Sequence, residues 1–258
     1  MGGTVLKAEI IARLYEIEAR QEVRILYAAE SGSRAWGFAS PDSDYDVRFI
    51  YQRSVRSYLR LSPPRDVIEI PIQNDLDING WDILKALHLF RKSNPTLMEW
   101  LLSPTIYVEK GPFASDLRAL ANSSYSRQRA AHHYVSMARN NYRTYIEDKT
   151  EVWAKKYLYV LRPLLCVHWI EQYTTLPPTA FDQVVSGVTI ANEIQIELSD
   201  LLHQKRLAGE MGITAASVTL NSFILAELER LATVIPGLPD AATEEPVLNQ
   251  IAWRQLGV

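Results

Sequence analysis

The sequence predicts an α+β unit followed by an all-α unit, and three observations lead to that fold class. Strand patterns and helix patterns mix over roughly the first 110 residues, whereas helix signals fill nearly everything from residue 112 onward. The composition of the 258-residue chain, 47% hydrophobic and 22% charged, suits one large or two modest domains. We therefore predict two domains, residues 1–111 and residues 112–258.

The first domain begins with a predicted helix over residues 4–20. Its apolar residues follow the three-to-four spacing of one helix face, at Leu6, Ile10, Ile11, Leu14 and Ile17. Residues 23–29 form an apolar run that predicts a strand, and a second strand is expected over about residues 45–52.

Further strand and helix signals follow up to residue 111. Residues 63–72, bounded by Pro63-Pro64, predict a third strand region. A short extended piece over residues 76–78 is expected to end at the turn pair Asn79-Gly80, and a helix is expected from Trp81. Another helix is expected with Asn94 as its N-cap and Pro95 at its first position.

The second domain has almost no strand pattern, and its predicted elements are helices and one loop. Helices are expected over residues 126–148, 150–173, 181–208 and 215–234, then a loop over residues 235–246 and a short terminal helix.

Bulk composition excludes several classes of protein. A net charge of −3 gives no global nucleic-acid signal, so any basic site must be local, and residues 126–162 are such a basic segment. The single cysteine, Cys166, excludes an intramolecular disulfide and a cysteine-cluster zinc site. The sequence shows neither a signal peptide nor a membrane-spanning run, so we expect a soluble cytoplasmic protein without a membrane partner. Oligomeric state stays open.

The chemistry of the chain points to the stretch "GSRAWGFASPDSDYDVRFIY". Asp44 and Asp46 stand two positions apart before an apolar strand and can project from one face of it. Two nearby carboxylates repel, and a divalent cation such as Mg²⁺ removes that repulsion. Gly32-Ser33 upstream can let the backbone approach a phosphate closely. Either feature alone is also compatible with an ordinary polar turn.

Together these residues carry a family resemblance. The pattern of Gly32-Ser33, Asp44 and Asp46 resembles the signature of the DNA polymerase beta nucleotidyltransferase superfamily. With "PRDVIEIPI", "LDINGWDILKAL", "KSNPTLMEWL" and "KKYLYVLRPLL", the chain resembles the RNA-repair-pathway DNA polymerase beta family over most of its length. The resemblance implies a polymerase-beta-type catalytic domain with a short mixed sheet, followed by a helical domain that binds nucleotide and acceptor.

The resemblance also implies a two-metal mechanism, with Mg²⁺ as the ion and Mn²⁺ as an alternative. Asp44 and Asp46 match the first two acids of the family pattern, which bind both ions. A third acid on a neighbouring strand completes the set. We expect Asp77, with Asp75 and Glu69 as alternatives.

A nucleoside triphosphate also needs cations from the protein, and the resemblance implies that they come from the helical domain. Lys155, Tyr159 and Arg162 share one predicted helix face, and Lys156 flanks it. We assign these four residues, together with Gly32, Ser33 and Arg34, to nucleotide binding. A solvated basic helix face explains the four helical residues equally well. The active site is expected between the domains, with the basic segment facing the acids.

The predicted activity is transfer of a nucleoside monophosphate from a nucleoside triphosphate such as ATP to an acceptor hydroxyl, with release of pyrophosphate. The family implies an RNA 3′ end, tRNA-like, as the acceptor in RNA repair. Three alternatives stay open: a protein adenylyltransferase, a degenerate nucleotide-binding module, and a transferase acting on a small molecule such as an aminoglycoside.

Overall fold

The computed structural model describes residues 2–73, 75–173, 175–207, 212–241 and 243–258. The predicted helix end at residue 208 and residue 242 of the predicted loop lie outside these ranges. No helix in the described part of the chain combines the length and the apolar character that crossing a membrane requires.

The chain forms two compact units, each assembled from separate segments. The first comprises Met1–Ala35, Asp44–Ser124 and Ala242–Val258, and the second comprises Trp36–Ser43 and Tyr125–Ala241. These compact units do not test the predicted domain boundary between residues 111 and 112, which stays a prediction. The compact units change at residue 124 and return the terminal helix to the first unit.

The first unit contains the mixed sheet and the helices around it. Its elements are α1 Gly2–Gln21, β1 Arg24–Ser31, α2 Gly32–Trp36, β2 Tyr45–Gln52, α3 Val55–Tyr58, β3 Val67–Glu69, β4 Leu76–Asp82, α4 Ile83–Arg91, α5 Pro95–Leu101, β5 Ile106–Glu109, α6 Phe113–Ser124 and, from the end of the chain, α12 Glu245–Leu256.

The five strands lie in the order β3-β4-β2-β1-β5. Only β2 and β4 run parallel; the other neighbouring pairs are antiparallel. Helix α1 covers one face of the sheet, where Ile10 and Leu14 share a buried core with Val47 and Phe49. Asp46 and Arg48 alternate with Val47 and Phe49 along β2, and their side chains therefore point to the opposite face of the sheet.

Three boundaries in the first unit differ from the sequence-based expectation. Asn79-Gly80 is not a turn, because both residues lie inside β4. Gly80 pairs with Phe49, and a Cβ on Gly80 would come within 2.2 Å of the Phe49 ring, so close packing explains this glycine. Helix α4 begins at Ile83 rather than Trp81, since the Asp82 side chain accepts the N-capping hydrogen bond from Leu84. The third strand is confined to Val67–Glu69.

The second unit is mainly helical. Its elements are α7 Arg127–Tyr145, β6 Glu151–Trp153, α8 Ala154–Gln172, α9 Phe181–Gly187, α10 Asn192–Leu207, β7 Ile213–Ala215, α11 Val218–Val234 and a 3-10 helix Ile235–Gly237. Helix α8 supplies a run of fully buried side chains, including the Cys166 thiol, to the core. The α+β fold class is therefore confirmed.

Two short strands in this unit were not expected. Residues 151–153 form β6 rather than the start of a helix, and they pair antiparallel with β7, with Val152 opposite Thr214. The Val-Trp pair in β6 favours a strand locally, but a three-residue pairing with a segment so distant in the sequence leaves no periodic pattern to read.

Candidate active site

Four polar side chains form a patch on the adjacent parallel strands β2 and β4. Asp46 pairs in register with Asp77, and Arg48 pairs with Asn79. Residues two apart on a strand share a face, so the four side chains lie on one face of the sheet. The parallel pairing therefore brings Asp46 next to Asp77, the residue expected as the third acid.

The guanidinium of Arg48 joins the two carboxylates of this patch. Its Nη2 donates to Asp46 Oδ1 and to Asp77 Oδ2, each at 2.7 Å. Its Nη1 donates to the backbone carbonyl of Asp77 at 2.8 Å. Asn79 Nδ2 donates to the second carboxylate oxygen of Asp77 at 2.6 Å. The orientation of the Asp77 carboxylate is thus fixed from two sides.

A buried carboxyl group holds the backbone of Asp46. Glu30, at the end of β1 and only 2% exposed, accepts a hydrogen bond from the Asp46 amide through Oε1 at 2.9 Å. The other oxygen of Glu30 accepts a hydrogen bond from the Tyr107 hydroxyl on β5. Contacts among β1, β2 and β5 therefore fix the position of the Asp46 backbone, from which its carboxylate extends.

The environment of the patch disfavours negative charge. Burial raises the pKa of the Asp46 carboxyl above its ordinary value, the Arg48 guanidinium lowers it, and the carboxylates of Asp77 and Asp44 raise it further. Burial likewise raises the pKa of Glu30, although hydrogen bonds from Tyr107 and the Asp46 amide lower it. A cation bound here would relieve the repulsion among the carboxylates.

Gly32 lies directly against the Asp46 carboxylate. Its φ of +59° is a left-handed conformation, and a Cβ at this position would come within 1.9 Å of Asp46 Oδ2. Glycine is therefore required both for the backbone conformation and for the close approach. Ser33 follows as the second residue of the five-residue helix α2. Its assignment to phosphate binding rests on the family resemblance.

Asp44 stands just before β2 and is exposed. The Nε of Arg34 donates to the Asp44 carbonyl at 3.1 Å, and the Arg34 guanidinium lies 3.6 Å from the centroid of the Tyr45 ring. In the ranges that the structure describes, no three or more His, Cys, Asp or Glu side chains are grouped as a metal site requires. The three-acid set of Asp44, Asp46 and Asp77 therefore stays a prediction.

The structure separates the three alternatives for the third acid. Asp77 lies beside Asp46, as described above. Asp75 is exposed, has a positive φ of 60° and uses its backbone carbonyl to accept a hydrogen bond from Tyr45 at 2.7 Å. Glu69 on β3 pairs with Arg65 on the protein surface, with an N–O distance of 3.1 Å. Only Asp77 of the three shares a guanidinium with Asp46.

In the second unit, Lys156 lies on aromatic rings. Its Nζ is 3.7 Å from the centroid of Tyr145, the last residue of α7, and 5.3 Å from that of Tyr159. Tyr145 is 36% exposed, so part of its ring remains open to solvent. This places Lys156 and Tyr159, two residues assigned to nucleotide binding, in one aromatic and cationic cluster.

The other two basic residues assigned on α8 also lie over tryptophan rings. The Arg162 guanidinium is 4.3 Å from the centroid of the Trp36 ring, and Lys155 Nζ is 5.8 Å from that of Trp153. Arg162 is only 2% exposed, so it does not belong to a solvated helix face. Trp153 is 42% exposed, and its ring is accessible.

Sequence reasoning missed four residues of the patch and its support. They are Glu30, Arg48, Asn79 and Tyr107. Arg48 could have been found, since Asp44, Asp46 and Arg48 follow the two-residue spacing of one strand face. Asn79 was interpreted as a turn residue. Glu30 and Tyr107 carry no local signal, because only the pairing of β1 with β2 and β5 brings them to Asp46.

Comparisons with known proteins agree with the resemblance. The sequence model of the RNA repair pathway DNA polymerase beta family matches residues 6–254. The chain belongs to this family, and the prediction made from its motifs is confirmed. It is 44% identical over 226 residues to the uncharacterized protein YcgL of Bacillus subtilis (strain 168), covering 88% of this chain and 86% of that protein.

One solved structure is a more distant likeness. It is that of a nucleotidyltransferase-like protein from Exiguobacterium sibiricum 255-15, with 12% sequence identity and a TM-score of 0.31. The match covers 88% of this chain and 75% of the other. A TM-score this low does not establish a common fold.

Proposed function

We propose that the protein is a Mg²⁺-dependent nucleotidyltransferase that moves a nucleoside monophosphate from a nucleoside triphosphate to an acceptor hydroxyl. One observation carries the proposal: Asp46 and Asp77 lie in register on adjacent parallel strands, with Gly32 packed against the Asp46 carboxylate. Membership of the polymerase beta family supports the same chemistry.

The residues of the patch suit a magnesium ion. Carboxylate oxygens are its preferred ligands, and protein sites often supply one or two of them and leave the rest to substrate phosphates and water. Asp46 and Asp77 would hold the ion, with Asp44 as the third ligand. When bound, Mg²⁺ would supply stabilisation of the charge on the attacking and leaving oxygens of the displacement.

Other residues of the chain bind and orient the substrates. Gly32 and Ser33 contact the triphosphate. Because Gly32 has no Cβ, the Asp46 carboxylate can occupy its position beside it. Arg34, next to Ser33, is a further nucleotide contact in this unit. The assignment of Lys155, Lys156, Tyr159 and Arg162 on α8 to nucleotide binding stays a prediction from the family resemblance. The acceptor oxygen forms a bond to the α-phosphorus, the bond from that phosphorus to pyrophosphate breaks, and the hydroxyl proton passes to solvent.

An RNA 3′ end is the acceptor we propose. The description of the family as an RNA repair family supports it, and so do the cationic and aromatic pairs of the second unit. Unpaired bases stack on exposed aromatic rings, and neighbouring lysines contact the phosphates. Replacing Tyr145 with alanine should weaken the binding of single-stranded RNA in fluorescence anisotropy by about 1–3 kcal/mol, the range for one base stacked on one ring.

Trp253→Ala is the matched control for that measurement. Trp253 is 53% exposed and belongs to α12 in the other compact unit. Its loss should leave the affinity for RNA unchanged. Equal effects of the two substitutions would remove the support that Tyr145 gives to an RNA acceptor.

The activity is tested by incubating the chain with Mg²⁺ and each α-labelled nucleoside triphosphate, together with RNA or with a cell lysate. Label should enter RNA at its 3′ end. Asp46→Asn and Asp77→Asn should abolish incorporation. Asp66→Asn should not, because Asp66 lies on the surface and pairs with Lys85.

The same experiment distinguishes the alternatives. Label in protein instead of RNA would replace our proposal with protein adenylylation. Label in a small molecule would favour a small-molecule acceptor. If no nucleotide is consumed under any condition, the enzyme proposal fails, and nucleotide binding without turnover would identify a nucleotide-binding module.

A further inference from the structure

The guanidinium of Arg48 is held in place independently of the carboxylates that it joins. Nη1 donates to two backbone carbonyls, that of Asp77 at 2.8 Å and that of Val47 at 3.3 Å. This anchoring directs Nη2 between Asp46 and Asp77. The Arg48 side chain is also only 16% exposed. Its position is therefore set by the strand backbone and not by a chance surface contact.

Nη2 occupies the position between the two carboxylates that a shared cation would need. Each of its hydrogen bonds uses one oxygen, Asp46 Oδ1 and Asp77 Oδ2, at 2.7 Å. Hydrogen bonds between charged partners are among the strongest in proteins. A divalent ion must share or displace these bonds, and it must also approach a fixed positive charge.

From this geometry we infer that Arg48 competes with divalent cations at the Asp46–Asp77 pair, so that the chain binds the ion weakly until a triphosphate accompanies it. The inference rests on the proposed function, because it takes the same pair as the metal site. A triphosphate adds negative charge and oxygen ligands, which favour the ion over the guanidinium. Ion and nucleotide therefore bind with positive coupling, and Arg48 is the positioning residue that produces it.

Direct binding of Mn²⁺, measured by electron paramagnetic resonance without nucleotide, tests the competition. Arg48→Met should bind Mn²⁺ about tenfold more tightly than the unsubstituted chain, a factor that corresponds to about 1.4 kcal/mol. Arg65→Met is the matched control, since Arg65 forms an exposed pair with Glu69 on β3 of the same sheet. Its affinity for Mn²⁺ should not change.

A second variant guards against loss of folding. Arg48→Gln keeps an amide that can donate to the Asp77 carbonyl but removes the charge, and it should also bind Mn²⁺ more tightly. Circular dichroism establishes that each variant is folded. Repeating the titration with a non-hydrolysable triphosphate should reduce the difference between each variant and the unsubstituted chain.

The outcomes separate the two hypotheses. If the unsubstituted chain binds Mn²⁺ and both Arg48 variants bind it equally or more weakly, the competition is refuted and the metal site stands. If no form of the chain binds Mn²⁺, with or without the triphosphate, the metal site itself is wrong and the inference fails with it.

Discussion

Replacing Gly32 with alanine tests the closest contact in the candidate site. A Cβ at this position would come within 1.9 Å of Asp46 Oδ2, whereas ordinary contacts begin at 3.4 Å, so the carboxylate must move by about 1.5 Å. Asp46 is also held by Arg48 through its other oxygen, and this restricts where it can go. A displacement of about 1 Å can lower a catalytic rate about 100-fold, and we expect a loss of this size.

The substitution also has a conformational cost. Alanine at a φ of +59° should destabilise the fold by about 1–2 kcal/mol. Gly111→Ala separates this cost from the contact, because Gly111 has a φ of +70° in the same compact unit and no atom lies within 4 Å of the position that its Cβ would take.

The assay combines thermal unfolding, Mn²⁺ binding and pyrophosphate release for both variants. Both should unfold at lowered temperatures, and Gly32→Ala at the lower of the two, because its Cβ also displaces the Asp46 carboxylate. Only Gly32→Ala should bind Mn²⁺ more weakly and release pyrophosphate more slowly. If the two variants have equal rates and equal affinities for Mn²⁺, the approach of Gly32 to Asp46 has no role in the reaction and this reasoning is refuted.

Two further predictions concern stability. Burial raises the pKa of Glu227, but hydrogen bonds from His168 and Arg230 lower it to about 2, so its stabilisation is present above the unfolded pKa and disappears as the pH falls from about 4.5 to about 2. Glu227→Gln should cost about 2 kcal/mol at pH 7 in urea unfolding, allowing for the half-exposed arginine, and a deficit that persists at pH 2 would contradict the ion pair as its cause. Gly80→Ala places a Cβ 2.2 Å from the Phe49 ring and should cost about 1–3 kcal/mol in the same measurement; unchanged stability would show that packing does not require this glycine.

The sequence predicted the elements whose signals are local. Helix α1 and strands β1 and β2 follow from apolar periodicity, and the N-cap of α5 follows from Asn94 and Pro95. The signal that placed Asp46 at the edge of a buried strand was also local. Val47, Phe49 and Ile50 are fully buried, as their apolar character indicated.

What could not be predicted depends on strand pairing. The sequence already favoured Asp77 over Asp75 and Glu69, but the position of Asp77 beside Asp46 depends on the parallel register of β2 and β4, which no single segment encodes. The same pairing makes Asn79 a hydrogen-bond donor to Asp77 and Gly80 a packing residue under Phe49. The pair Asn79-Gly80 is compatible with a turn or with a strand, and only tertiary contacts decide between the two.

The energetics of the patch support the proposal that its acids are functional. A strand pair that had only to pack would be served by neutral side chains at positions 46 and 77. Here burial raises the pKa of Asp46, and both neighbouring acids raise it further. Arg48 lowers it, but the pKa of Asp46 still lies above its ordinary value. Residues that oppose stability in a folded protein persist where activity needs them. The unfavourable charge at Asp46 therefore supports a site that a cation completes.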